Sequence, residues 1–208
     1  MNFFPDCRYE DAGGYAKEYF KFLADAAATV DGKALDDAAQ LLANCSGRGG
    51  IIFSCGNGGS AAIANHLVCD CMKGVRSNST LRPRVHSLSS TIETITAIGN
   101  DIGYQDIFSF QLESLARAGD VLVAISSSGS SPNVVTVLEV ARAMNVSTIA
   151  MTGFDGGRAS ELADVSLHVA SQNYGLVEDV HQSLMHILAQ YLRHSHLEEG
   201  AILGQIKF

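Results

Sequence analysis

An excess of positive charge is missing from this chain. Its 14 lysines and arginines stand against 22 aspartates and glutamates, giving a formal charge of −8 and a pI near 5.2. A protein that tracks nucleic-acid phosphates needs a basic face, so that class of partner is excluded. A small pocket for one phosphate is not. No apolar run approaches the length of a membrane span, so no membrane partner is expected. The N-terminal stretch MNFFPDCRYEDAGGYAKEYF carries charges and a proline where a signal peptide needs an unbroken apolar core. The expected location is therefore cytoplasmic. Cysteines are few and odd in number: Cys7, Cys45, Cys55, Cys69 and Cys71. Their irregular spacing does not make a disulfide framework, and they read as reduced thiols. Internal repeats, low-complexity linkers and charge blocks are also lacking.

What is present is core-forming material. Hydrophobic residues make up 47% of the 208 positions and charged residues 17%, which predicts one globular domain over 1–208. The pattern alternates. Helices are predicted over about Tyr9–Val30 and Lys33–Ala43, within an N-terminal helical segment of about 8–47. Strands are predicted at Ile51–Ser54, Arg84–Leu88, Val121–Ile125, Ser147–Met151 and Val165–Val169. Helices are predicted between them at Ala61–Met72, Ile92–Ile98, Ile107–Ala116 and Pro132–Met144, with a short one after TGFDGG and a final one over Val177–His194. Strands alternating with helices imply βαβ units, a mostly parallel five-stranded sheet and helices on both faces. Ligands in such sheets sit beyond the carboxyl ends of the strands.

Two loops follow predicted strand ends. The first candidate is Ser126-Ser127-Ser128-Gly129-Ser130-Ser131, between VLVAI and the helix opened by Pro132. Hydroxyls donate to anionic oxygens, Gly129 allows close backbone approach, and a helix N-terminus offers free N–H groups and a positive dipole end. The plainer reading is a serine-rich loop that only caps the helix; its place between a buried strand and a proline-started helix favours phosphate or carboxylate binding. The loop has neither a GKS/T ending nor GxGxxG, so no nucleotide is expected.

The second is Gly56-Asn57-Gly58-Gly59-Ser60, which can turn sharply and bring backbone to a ligand. Asn57 and Ser60 can bond sugar hydroxyls or phosphate, and Ser60 is also expected as a helix N-cap. In the helix that follows, His66 and Asp70 are four apart and share a face. Near the C-terminus, Glu178, His181, Gln182, Met185 and His186 cluster on the final helix, with Glu178 and His186 eight apart and roughly aligned. Each histidine by itself is most simply one satisfied by a neighbour. Two His-plus-carboxylate pairs that met would make either a site for zinc or another divalent ion, or a general acid and base. Cys69 and Cys71 are expected to be core or interface thiols.

The stretches GNGGSAAIANHLVCD (56–70), AIGNDIGYQDIF (97–108), ISSSGSSPNV (125–134), TGFDGG (152–157) and YGLVEDVHQSLMHIL (174–188) together resemble the sugar isomerase (SIS) domain family, and within it the phosphoheptose isomerases. The resemblance implies a three-layer αβα, flavodoxin-like fold and a homotetramer with active sites between subunits. It implies a ketose–aldose isomerase acting on sedoheptulose 7-phosphate through an enediol(ate), in the synthesis of heptose precursors of surface polysaccharide. It assigns phosphate or sugar contacts to Asn57, Gly58, Ser60, Asn100, Asp101, Ser126, Ser127, Ser128 and Ser131. It places a metal, zinc in family members, among His66, Asp70, Glu178 and His186, with His186 as acid and Asp70 or Glu178 as base. Asp70 stands where the family has glutamate, and Glu178 where it has glutamine, so the site is more anionic; the segment between Tyr174 and Glu178 is also shorter. Isomerisation of another anionic sugar, or partner binding without catalysis, are the competing functions. The tail 197–208 would pack on a neighbouring subunit or stay unordered.

Overall fold

The structure, a computed structural model, describes residues 3–206. In chain order it contains α1 (Ala12–Ala27), α2 (Gly32–Gly47), β1 (Ile51–Gly56), α3 (Gly59–Cys69), β2 (Arg84–Ser87), α4 (Ile92–Asp101), α5 (Ser109–Leu115), β3 (Val121–Ser126), α6 (Pro132–Ala143), β4 (Ser147–Thr152), α7 (Gly157–Leu162), β5 (Val165–His168) and α8 (Tyr174–Ser195). A π-helical turn, Asp70–Val75, extends α3, and a 3-10 turn, Tyr104–Asp106, precedes α5.

The five strands form one parallel sheet in the order β2-β1-β3-β4-β5. This is the flavodoxin-like order, and its direction of winding reverses between β1 and β3. Strand periodicity explains the two faces. Val121, Val123 and Ile125 of β3 point into one apolar cluster, and Leu122 and Ala124 point into the other. β4 repeats this with Ile149 and Met151 on the first side and Ala150 on the second. The first cluster is closed by α2, α3 and α8, the second by α5 and α6. Both faces of β3 are therefore dry, which is why its sequence is a continuous apolar run rather than an alternating one.

α8 runs 22 residues and buries Val177, Val180, Leu184, Met185, Leu188 and Leu192 at helical spacing. Asn173 caps it, its side chain accepting from the Leu176 N–H. His181 lies on the buried stripe, not with the candidate site residues. Its Nε2 meets the Thr152 carbonyl oxygen at 3.1 Å, and burial pushes its pKa down to about 4. In the unfolded chain it takes up a proton near 6.5, while the folded protein stays unprotonated there until about 4. The unfolded state therefore binds more protons between those values, and stability falls as pH is lowered through them, by up to about 3 kcal/mol. Urea unfolding between pH 7 and 5 should show about 2 kcal/mol of that loss, and His181→Gln should flatten the corresponding part of the profile.

Two expectations change. The helix after GNGGS does not stay α-helical to Met72; it widens into a π turn at Asp70, a feature common at functional sites. Ser60 is not the N-cap: Gly58, at φ 53, holds that position and Ser60 lies buried in the first turn. Around the start of the tail, Thr80 N–H donates to the His196 carbonyl at 2.9 Å and Glu198 N–H to that of Asn78 at 3.0 Å. Residues 207–208 of that tail lie outside the described residues. Cys71 is a core thiol and Cys69 is exposed.

Candidate active site

The serine loop and the GNGGS loop leave the carboxyl ends of β3 and β1, the two strands at which the sheet reverses its winding. In the serine loop the chain folds back tightly. Gly129 N–H donates to the carbonyl of Ser126 at 3.0 Å and lies 3.1 Å from its hydroxyl. The Ser126 and Ser131 hydroxyls are 3.4 Å apart. Ser131 is the N-cap of α6 and makes no side-chain capping bond; Pro132 has no N–H and Val134 and Val135 donate to the Ser131 carbonyl at 3.0 Å, so among the described residues the Asn133 N–H is the one left at that end for a ligand. The buried Ser127 hydroxyl has no partner among the described residues. An orphaned buried hydroxyl in the loop that leads into an uncapped helix end suits an anion as its acceptor. Ser128 bonds within the loop, its hydroxyl accepting from Ser130 N–H at 3.3 Å.

The GNGGS loop is fixed to this cradle by a pair of amides. Asn57 and Asn133 donate to each other, both at 2.9 Å, and Tyr104 Oη donates to Asn57 Oδ1 at 3.0 Å. Asn133, on the first turn of α6, is buried. Gly56 leaves room for Ser60, since a Cβ there would lie 2.7 Å from the Ser60 Cβ. Asn100 and Asp101 are exposed at the end of α4 and bond to each other at 2.6 Å; among the described residues no hydrogen bond links them to either loop.

The histidine–carboxylate group is assembled from α3, its π turn and α8. Asp70 Oδ2 is 2.7 Å from His186 Nδ1, and Asp70 Oδ1 is 3.3 Å from His66 Nε2. The two imidazoles meet edge to face with centroids 4.9 Å apart. His66, Asp70 and His186 offer ligand atoms within 4.8 Å of one another. Glu178, expected as the fourth member, is not among them. Its carboxylate lies over the N-terminus of α3, 2.4 Å from where a Cβ on Gly59 would stand. The reason is helical phase: eight residues turn about 800°, leaving Glu178 about 80° from the direction of His186 and about 12 Å along the axis. Gln182, four residues before His186, takes the place beside the rings, its Nε2 at 2.9 Å from His186 Nε2 and 3.3 Å from His66 Nδ1.

Residues 14–153 match the SIS domain family. The phosphoheptose isomerase of Desulfovibrio desulfuricans is 40% identical over 172 residues, covering 82% of this chain and 80% of that protein. This chain belongs to the SIS-domain family, among the phosphoheptose isomerases. The solved phosphoheptose isomerase of Neisseria gonorrhoeae superposes with a TM-score of 0.80 at 32% identity, covering 88% of this chain and 96% of that one. That of Francisella tularensis gives 0.81 at 29%, covering 88% and 99%.

For a member of this family, the donor set of His66, Asp70 and His186 fits a divalent cation: two imidazoles and a carboxylate, close together and partly open to solvent. Sequence reasoning missed Asn133, Tyr104 and the bridging place of Gln182. Asn133 pairs across 76 residues with Asn57, and nothing local announces that contact. Its one signal is its position directly after Pro132, where an amide on the first helical turn faces the same crevice as the serine loop.

Proposed function

We propose that this protein is a cytoplasmic isomerase that interconverts sedoheptulose 7-phosphate and D-glycero-D-manno-heptose 7-phosphate, supplying heptose for surface polysaccharide. The observation that carries the reading is the coexistence, in one phosphoheptose isomerase chain, of a hydroxyl-lined anion cradle and a His–Asp–His group. The phosphate is held by Ser126, Ser127, Ser128 and Ser131 with the N-terminus of α6, and the sugar chain by Asn57, Gly58, Ser60, Asn100 and Asp101. Binding the remote phosphate orients the reacting carbons.

Isomerisation moves a proton between adjacent carbons through an enediol. Asp70, in contact with His186, is assigned as the base that takes the proton beside the carbonyl; His186 delivers a proton to the oxygen. Glu178, remote from His186 and next to the GNGGS loop, is assigned to the sugar hydroxyls. Where His66, Asp70 and His186 instead hold a zinc or similar ion, its charge would supply polarisation of the carbonyl in place of the His186 proton.

The assembly proposed is a homotetramer with sites between subunits. Gly59, beside the cradle, and Asp70 are separated by about 16 Å of helical rise, which favours the cradle of one copy facing the His–Asp–His group of another. Beside that group, Ile187 and Tyr191 are 47% and 51% exposed on α8, and Met72 is 60% exposed on the π turn. Such apolar side chains suit a subunit contact. Incubating the purified protein with sedoheptulose 7-phosphate and following it by NMR, with and without a chelator, tests the activity. An aldose heptose 7-phosphate is expected. No aldose under any metal condition would point to another anionic sugar or to partner binding.

A further inference from the structure

Gln182 joins the two imidazoles by hydrogen bonds that determine where each carries its hydrogen. Asp70 can only accept when ionised, so His186 Nδ1, bonded to it at 2.7 Å, carries that ring's hydrogen; His66 Nε2, 3.3 Å from the other oxygen, carries its own because Gln182 donates to Nδ1. In neutral rings the remaining nitrogens, His66 Nδ1 and His186 Nε2, are bare acceptors. Both face one atom, Gln182 Nε2, at 3.3 and 2.9 Å. An amide nitrogen has two hydrogens, one for each ring. The group holds three hydrogen bonds, His186 to Asp70 and Gln182 Nε2 to each ring, with the 3.3 Å ion-pair contact of His66 Nε2 and Asp70 beside them. The opposite amide orientation would put an acceptor against two bare acceptors.

A cation bound by Asp70 and the two nitrogens that face it cannot leave this arrangement intact. Those nitrogens must give up their hydrogens, so each neutral imidazole carries its hydrogen on the outer nitrogen instead. Both outer nitrogens then donate toward Gln182, and only its Oε1 can receive them. A side chain serving both states must offer two donors in one and an acceptor in the other. A primary amide does so by turning over; a carboxylate, a hydrocarbon or an ammonium does not.

We propose that Gln182 is a positioning residue common to both imidazoles, presenting its amide hydrogens to them when the site is metal-free and turning Oε1 toward them when a cation binds. It thereby acts as the outer hydrogen-bond partner that metal-ligating histidines require. The proposal rests on the reading of His66, Asp70 and His186 as a metal group, and does not depend on which sugar is turned over.

The test is a zinc titration of the full chain, wild type, Gln182→Leu and Gln182→Glu, read by calorimetry and by long-range 1H–15N NMR of the imidazoles. Circular dichroism confirms that each variant is folded. In the wild type the hydrogens are expected on His66 Nε2 and His186 Nδ1 without zinc, and on His66 Nδ1 and His186 Nε2 with it. Gln182→Leu should bind zinc roughly 10–100-fold more weakly. Gln182→Glu, which keeps the acceptor, should retain zinc affinity. Unchanged tautomers on adding zinc, wild-type affinity in Gln182→Leu, or no zinc binding by the wild type would each overturn the proposal. Sugar turnover is scored separately: tautomers that switch in a protein that makes no aldose would contradict the proposed reaction and leave this inference standing.

Discussion

Replacing His186 by alanine is expected to reduce kcat by about 10²–10⁴-fold, the range that a positioned acid or base contributes. Binding of the phosphorylated sugar should survive, because the cradle is built from β3, its loop and α6 and owes nothing to His186. The imidazole is partly exposed, anchored by Asp70 at 2.7 Å and by Gln182 at 2.9 Å. Its removal opens no core cavity, so the thermal midpoint should move little. Steady-state kinetics and a thermal melt check this together. Turnover at the wild-type rate would remove His186 from the chemistry; collapse of the fold would mean that its role is structural.

The second large effect is expected at Gly129. Its φ of 64 lies in the left-handed region, and a Cβ there would stand 1.9 Å from the Gly156 carbonyl oxygen. Gly157 is seated as tightly from the other side, its Cβ position 2.6 Å from the carbonyl carbon of Gly129. The two loops interlock backbone to backbone, with Ala159 N–H donating to the Gly129 carbonyl at 2.8 Å. No flexible side chain can give way. Gly129→Ala should cost roughly 2–5 kcal/mol of stability from the backbone conformation and the overlap together. In whatever fraction folds, KM should rise because the serine hydroxyls no longer converge. Gly47→Ala is the control: a Cβ there meets nothing within 4 Å, and its effect should be neutral or slightly stabilising. Equal losses at both positions would show that the interlock is not what matters.

Much of the scaffold is legible in the sequence because its signals are local. VLVAI followed by serines, glycine and a proline-started helix is a strand, an anion loop and a helix N-terminus in the twelve residues 121–132, and those elements appear at β3 and α6. The His66–Asp70 pair is legible too, since a four-residue step is a local property of a helix. What fails is reasoning over longer steps. An eight-residue spacing suggests Glu178 beside His186, but its phase error is too large to ignore, whereas Gln182 satisfies the geometry. His181 could not be separated from the site residues by spacing alone; its burial against β4 depends on how α8 lies on the sheet. The π turn at Asp70 leaves no distinctive pattern in DCMKGV. The Asn57–Asn133 lock joins residues far apart in sequence, so only the folded chain reveals it.

The central claim is that a carboxylate and an imidazole move a carbon-bound proton of a phosphorylated ketose through an enediol. Running the reaction on sedoheptulose 7-phosphate in D2O, and reading the product by NMR, tests it most directly. Deuterium at C2 of the aldose phosphate is predicted, because a proton lost to Asp70 exchanges with solvent before carbon is reprotonated. An aldose that retains only the hydrogen of the substrate, or no aldose at all, would contradict the account.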